Sequence, residues 1–451
     1  MSLRLHLALV LTLFVFVTGT VAFVASHNMS LDQHGQFESK HTEMRREQAE
    51  NNLTQYAVYR DNYILEPRGS SFLSDSREKY LPNSLQVNAY NVFGFGVKPG
   101  SINPYLQSFQ ELNWAFIVSL IMGFIVLLLT FDTISGEKQS RTLALLFANP
   151  VSRASVLFGK YISTILSALF ILAPGMCLSS IILILSGSVA FTGITLFEIA
   201  GFMAASVVYI SCVAAFGLLA SVLSKTPNVS LLFSLVFWIV FVAIIPNSAL
   251  FWSQTLFPID SPEKVNATVS AARQEINDSA PKGSWSSSRN NPFYPRHELR
   301  ANNQTNLMNS EKRIRDAWYN DMFLQLDRTR YVTLLSPVSL FEYMCEAIVD
   351  GGYVRFRKNW DDMRKYQPQF LTYFKDKDAA DADSPHWYNP YENYSTTRKA
   401  VNFDELPRYS EIRMPISERL ASAMMYLTII IVYSVVIFMT SFMLFIRYDV
   451  R

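Results

Sequence analysis

Residues 131–161 read FDTISGEKQSRTLALLFANPVSRASVLFGKY and separate two long apolar runs of the chain. The stretch opens with the carboxylates Asp132 and Glu137 and closes with the cations Arg153 and Lys160. Each flanking run is long enough to cross a bilayer, because a helix of about 20 apolar residues spans the hydrocarbon core. We therefore expect this stretch to be a loop at a membrane surface that joins two spans.

The same alternation of apolar and polar segments continues through the whole chain of 451 residues, of which 50% are hydrophobic. The apolar residues fall into about six blocks of spanning length. This pattern predicts an all-α integral membrane protein with six transmembrane helices and two extracytoplasmic insertions. The insertions are expected to be mainly helical with a few short strands. A net charge of +2 gives no reason to expect nucleic-acid binding.

The blocks predict five parts. They are a first transmembrane helix at 1–25, an extracytoplasmic insertion at 26–111, transmembrane helices 2–5 at 112–252 with a cytoplasmic coupling segment at 132–155, a large extracytoplasmic helical domain at 253–418, and a last transmembrane helix with a cytoplasmic tail at 419–451.

Local patterns predict the elements inside the two insertions. Residues 31–63 are charged and lack proline, and they predict a helix that leaves the membrane. Residues 85–105 combine Gly, Pro and aromatic residues and predict short strands and turns. Apolar residues at helical spacing predict further helices in the second insertion, at 302–335, 339–349 and 353–378.

Lysines and arginines near the span ends predict the orientation, since cytoplasmic loops carry an excess of them. With the N-terminus inside, the cytoplasmic segments carry Arg4, Lys138, Arg141, Arg153, Lys160, Lys225, Arg447 and Arg451. The short link on the other side, GSVAFTG, carries no charge. We therefore expect both termini, residues 131–161 and the link 224–228 to be cytoplasmic, with both insertions outside.

The sequence contains no group that would power transport or catalysis. It has no G-x-x-x-x-G-K-[ST] phosphate loop, H-E-x-x-H or C-x-x-C, which are motifs of nucleotide, zinc and redox sites. The six spans lack ionisable residues at their centres, where such residues are costly unless they function. Glu198, near the outer end of the fourth span, is expected to face water, and His386 to be a surface-loop histidine. We therefore expect no enzyme activity, metal or cofactor in this chain, and a power source outside it.

Residues 139–148 predict one short helix inside the opening stretch, ended by Asn149-Pro150. Leu143 and its apolar neighbours would lie against the membrane surface while Arg141 faces water, as in an interfacial helix. The pattern leaves two interpretations open. The segment is either an ordinary positively charged loop or a coupling helix that docks in a groove of a partner.

Several of these residues occur together in a known family. They are Asp132, Ser135-Gly136-Glu137, Thr142-Leu143, Asn149-Pro-Val-Ser-Arg153 and Gly159-Lys160. Together they resemble the signature of permease subunits of bacterial ABC-type exporters, the six-span ABC-2-like membrane family. Residues 335–341 (LSPVSLF) and the ending RYDVR resemble the subfamily with a large external insertion before the last span. One departure is Arg141, which stands where the family usually has glycine.

The resemblance implies a permease dimer, identical or paralogous, bound to two ABC ATPase subunits in the bacterial cytoplasmic (inner) membrane. ATP and Mg would bind to those subunits and not to this chain. It also implies which residues couple to the ATPase: Asp132, Glu137, Arg141, Thr142, Leu145, Arg153, Lys160 and Lys225.

A second function stays open at this point. The chain would then be a membrane-anchored assembly or receptor protein whose extracytoplasmic domain binds a partner and which transports nothing. An ATPase gene beside this one would favour transport. The substrate is not predicted, because the apolar spans carry only bland Ser, Thr, Gly and aliphatic side chains.

Overall fold

A computed structural model of the chain describes residues 3–51, 53–75, 84–96, 112–148, 150–280, 296–382 and 401–448. His386, the turns expected after residue 96 and the last residues of the RYDVR ending lie outside the described residues.

Six helices of the described residues are long and apolar enough to cross a membrane, and we number them as the first to sixth spans. They are Leu3–Glu50, Trp114–Gln139, Arg153–Ser186, Gly193–Leu223, Pro227–Asn247 and Ile416–Arg447. This confirms the predicted fold class, an all-α multi-pass membrane protein.

The first span belongs to one long helix, α1 (Leu3–Asn51), which α2 (Leu53–Val58) follows. The 49 residues of α1 extend for about 74 Å at 1.5 Å per residue, more than twice the thickness of the hydrocarbon core. The second half of α1 therefore leaves the membrane, as the sequence predicts for residues 31–51.

A small antiparallel sheet of order β1-β2-β3 lies beyond the end of α1. Its strands are β1 (Asp61–Ile64), β2 (Ser84–Val87) and β3 (Val92–Gly96). The helix predicted through residue 63 is therefore wrong at its end, because β1 pairs with β2, with Tyr63 opposite Leu85. The pairing gives hydrogen-bond partners to backbone N–H and C=O groups next to Leu85, whose side chain is fully buried.

The membrane helices follow in chain order, and the second and fifth spans each contain a π-helical segment. The second span and its loop comprise α3 (Trp114–Phe116), π-helical Ile117–Met122, α4 (Gly123–Thr130), α5 (Ser135–Gln139) and α6 (Thr142–Phe147). The third and fourth spans are α7 (Arg153–Ser186) and α8 (Gly193–Leu223), and the fifth comprises α9 (Pro227–Trp238), π-helical Ile239–Ile244 and α10 (Ile245–Asn247).

The described residues of the second insertion are mainly helical, as predicted. Its helices are α11 (Ala249–Leu256), α12 (Pro262–Ser279), α13 (Arg296–Thr333), α14 (Pro337–Val349) and α15 (Gly352–Ala379), and the sixth span, α16 (Ile416–Arg447), follows it. A separate hydrophobic core joins α15 to α2 and the sheet, for example through Tyr56, Leu85 and Phe374. The parts outside the spans therefore form one packed domain, the outer domain, from both insertions.

One helix of the second insertion is not where the sequence places it. All but two side chains of α14 are buried, and they pack in the core of the membrane helices. Phe341 stacks on Tyr209 with ring centroids 4.9 Å apart, and Tyr209 lies 16 residues inside α8, about 24 Å from its start. The expectation that residues 339–349 belong to an external domain is therefore wrong, since α14 packs between the spans.

Candidate functional site

The loop between the second and third spans forms two short helices with a break at Ser140-Arg141. Arg141 has φ 59°, a left-handed conformation that non-glycine residues rarely adopt. The single helix predicted over 139–148 is therefore wrong. Glycine adopts this conformation without steric cost.

Helix α6 is attached to the protein by its buried side. Leu143 is 1% exposed and packs in a cluster with Ile134, Leu157 and Leu218, from the second, third and fourth spans. The predicted contact of Leu143 with the membrane surface is therefore wrong, because this side chain is enclosed by the protein itself.

Two ion pairs fix the start of the loop. Lys160 Nζ lies 2.7 Å from Glu137 Oε1 and also donates to the Thr133 carbonyl at 2.6 Å. Arg4 Nη1 lies 2.6 Å from Asp132 Oδ2. These contacts connect the first and third spans to the loop that leaves the second.

Contacts to the fourth and sixth spans complete the attachment. Lys138 Nζ donates to the Ser224 carbonyl at 3.2 Å, at the end of the fourth span. Arg153 donates to the carbonyls of Phe445, Ile446 and Tyr448, where the last carbonyls of α16 lack partners within the helix. These contacts bind the loop to the first, third, fourth and sixth spans at one end of the bundle, which we call the coupling end.

The predicted site residues divide into two sets at the coupling end. Four make contacts within the chain and form the anchor set: Asp132, Glu137, Arg153 and Lys160. The other four are exposed, and we call them the coupling face: Arg141, Thr142, Leu145 and Lys225. The apolar side chain of Leu145 is 70% exposed. The role of all eight in ATPase contact stays a prediction.

At the opposite end, α13 and α14 form a re-entrant hairpin whose turn, residues 334–336, lies at membrane depth. The Tyr433 hydroxyl, 17 residues inside α16, is 3.4 Å from the Leu334 carbonyl. Ser336 Oγ donates to the Phe241 carbonyl of the fifth span and accepts from the first amides of α14. Non-helical backbone at this depth requires partners from the protein or from water in a cavity.

Buried charges hold the top of this hairpin to two spans. Arg419 is 1% exposed, and its Nη1 lies 2.9 Å from Oε1 of Glu198, which is also 1% exposed. Its Nη2 lies 3.8 Å from Oδ2 of Asp350, the C-cap residue of α14. Glu198 therefore does not face water as expected, because Arg419 covers it.

Asp350 also links these buried charges to ion pairs of the outer domain. Arg68 Nη1 lies 3.1 Å from Asp350 Oδ2, and its Nη2 lies 2.6 Å from Glu411 Oε1. Arg355 is also paired with Glu411, at 2.5 Å. Burial would raise the pKa of Glu411, but the hydrogen bond from Arg355 and the charges of both guanidinium groups outweigh it and lower the pKa to about 2.

The sequence carries signals for the buried charges and the re-entrant hairpin, although neither was predicted from it. Glu198 is the single Asp, Glu, Lys, Arg or His of α8, and an ionisable residue in a span indicates a buried partner. The run of α14 contains 13 residues, a length more typical of a buried or re-entrant helix than of a full span.

The model of the family described as ABC-2 family transporter protein matches residues 1–450. The chain belongs to this family. A comparison with curated proteins finds no match. As an ABC-2 family member with six spans, the chain is a membrane permease component of ABC transport and is not itself the catalytic part.

Proposed function

We propose that this ABC-2 permease works as an exporter in the bacterial cytoplasmic membrane and receives force at its coupling face from a separate ATPase subunit. The observation that carries the proposal is the construction of the coupling end. One short helix, α6, exposes the apolar Leu145 while its base is bound to the ends of the spans.

The anchor set gives α6 a route for transmitting movement. Glu137–Lys160 is a partly buried pair, with side chains 28% and 22% exposed, and water screens such a pair less than an exposed one. Leu143 adds apolar packing against three spans. A displacement of α6 by a partner therefore moves the span ends instead of only bending a loop.

The coupling face has the composition of a docking surface. The exposed Leu145 lies on the same short helix as Thr142, with Arg141 before it, and Lys225 is exposed on the neighbouring link. An apolar side chain that enters a pocket, with cations around it, fits an apolar groove with an acidic rim. We propose that the ATPase presents this groove and binds ATP and Mg, and that two permeases and two ATPases form the transporter.

The re-entrant hairpin supports a path for the substrate between the spans. Its turn places polar backbone at membrane depth, which is tolerated where it is buried in protein or lines a cavity. We propose that movement of the coupling end changes the packing around this turn and opens the path outwards. The alternative of a receptor that transports nothing is disfavoured, since the family is one of transporters.

The test uses the permease co-expressed with its proposed ATPase partner. Leu145→Glu is expected to abolish co-purification of the ATPase and its stimulation by the permease, because the charge would enter an apolar groove. The control is Leu324→Glu, which changes a leucine that is 45% exposed in the outer domain. If the Leu145→Glu variant bound the ATPase as well as wild type does, the docking role of α6 would be refuted.

A charge exchange tests the anchor set separately. Glu137→Lys alone should uncouple ATP hydrolysis from transport while the ATPase still binds, because the charge opposite Lys160 becomes repulsive. The double variant Glu137→Lys with Lys160→Glu should recover coupling. If the single and double variants behaved alike, transmission through this pair would be wrong.

A further inference from the structure

A cavity of about 740 Å³ lies between the outer domain and the outer part of the sixth span. It is formed by the end of α13, the first turns of α15, residues 412–415 and the first turns of α16. We propose that it binds the head group and upper acyl chain of a zwitterionic phospholipid of the outer leaflet. This binding does not depend on the proposed coupling to an ATPase.

The position of the cavity places it across the membrane boundary. Helix α16 is 32 residues long, about 48 Å, so it extends beyond a hydrocarbon core of about 30 Å. The cavity residues of α16 lie in its first three turns, from Glu418 to Tyr426. An occupant therefore contacts both the head-group layer and the start of the hydrocarbon.

The lower wall is apolar and open towards the lipid. Leu334, Met425 and Tyr426 line it, and Met425 is 42% exposed. Tyr331, another lining residue, is 63% exposed. A soluble polar ligand would leave this wall unused, whereas an acyl chain would cover it, at about 25 cal/mol for each Å² removed from water.

The upper wall carries charges in an ordered sequence along α15. Moving outwards from the membrane, the lining residues are Val354, then the cations Arg357 and Lys358, then the carboxylates Asp361 and Asp362, and last Lys365. Lys358 and Lys365 both pair with Asp362. Val354 and Asp361 are about 10 Å apart along the axis of α15. An acyl chain, a phosphate and an ammonium group follow in the same order in phosphatidylethanolamine.

A cation from another part of the chain is also available for the phosphate. Arg413 lines the cavity beside the start of α16 and is 43% exposed at its side chain. Its nearest carboxylate oxygen, on Glu198, is 3.8 Å away, so its guanidinium retains donors for an anion. Arg357, which is 46% exposed and is ion-paired with Asp327, lines the cavity from α15. Two guanidinium groups on different elements thus flank the expected phosphate position.

The experiment counts lipids that remain on the purified permease in native mass spectrometry, without any ATPase. Wild type is expected to retain one dioleoyl phosphatidylethanolamine per chain in preference to dioleoyl phosphatidylglycerol. Ser422→Trp, an exposed cavity residue, should reduce retention at least about tenfold by filling the space. The matched control is Thr428→Trp, which is exposed on the same helix outside the cavity lining.

A second variant tests the order of the charges. Asp361→Asn removes the carboxylate assigned to the ammonium group and should reduce the preference for phosphatidylethanolamine about two- to fivefold. Equal retention by Ser422→Trp and wild type would overturn the site. Equal retention of both lipids by wild type would overturn the zwitterionic assignment. Full competition by glycerophosphoethanolamine, which lacks acyl chains, would show that a soluble phosphate compound is the ligand.

Discussion

Replacing Arg419 by methionine should destabilise the protein far more than the same change at Arg413. Both guanidinium groups approach Oε1 of Glu198, at 2.9 Å from Arg419 and 3.8 Å from Arg413. The side chain of Arg419 is only 2% exposed, whereas that of Arg413 is 43% exposed. The two substitutions therefore remove one charge from the same carboxylate in two different environments.

The magnitude follows from burial. Arg419→Met leaves Glu198 buried without its cation and removes one of the cations that neutralise Asp350. Breaking a buried ion pair costs about 3–5 kcal/mol. At an unfolding entropy of about 2.1 cal/mol/K per residue, this lowers the Tm of a chain of 451 residues by about 3–5 °C. Arg413→Met removes an exposed partner and should cost about 0–1 kcal/mol.

The assay is thermal unfolding in one detergent, followed by the fluorescence of a thiol-reactive dye. The free, buried thiols of Cys345 in α14 and Cys212 in the fourth span become reactive when the bundle opens, whereas Cys177 is exposed in the folded protein and sets the baseline. The double variant Glu198→Gln with Arg419→Met should lose less stability than Arg419→Met alone, since it buries no unpaired charge. Equal Tm values for Arg419→Met and Arg413→Met would refute the reasoning.

Two further predictions concern the loop and the outer domain. Arg141→Gly should raise the free energy of unfolding by about 0.5–1 kcal/mol, because the left-handed conformation is costly for arginine. The denaturant midpoint measures this gain. The control is Gln139→Gly, where glycine should destabilise the protein. Glu411 has a pKa of about 2 in the folded protein, against 4.5 in the unfolded chain. This difference stabilises the folded protein by about 3 kcal/mol. The stabilisation is complete above pH 4.5 and is lost as the pH falls towards 2. The Tm difference between wild type and Glu411→Gln should therefore shrink over that range, and a constant difference would contradict the assignment.

The coupling end shows how far a local pattern predicts a site. The acidic and basic residues of 131–161 and the end of the helix before Pro150 are local features, and they predict the loop that joins the second and third spans. Which of those residues stay exposed depends on the ends of distant spans. Lys160 meets Glu137 across 23 residues, and Arg153 meets the Phe445 carbonyl across 292. No periodicity within the loop encodes those partners, so the sequence could not separate the anchor set from the coupling face.

The sequence by itself determined the membrane class, the six spans and most helix positions of the outer domain. Those features depend on length and apolar content, because a bilayer imposes the same requirement on every span wherever its neighbours lie. Only the tertiary structure placed α14 inside the bundle and paired Glu198 with Arg419. The free energy of a short apolar helix or of a buried charge depends on what surrounds it. Those surroundings come from distant segments, since 132 residues separate Phe341 of α14 from Tyr209 and 221 separate Glu198 from Arg419.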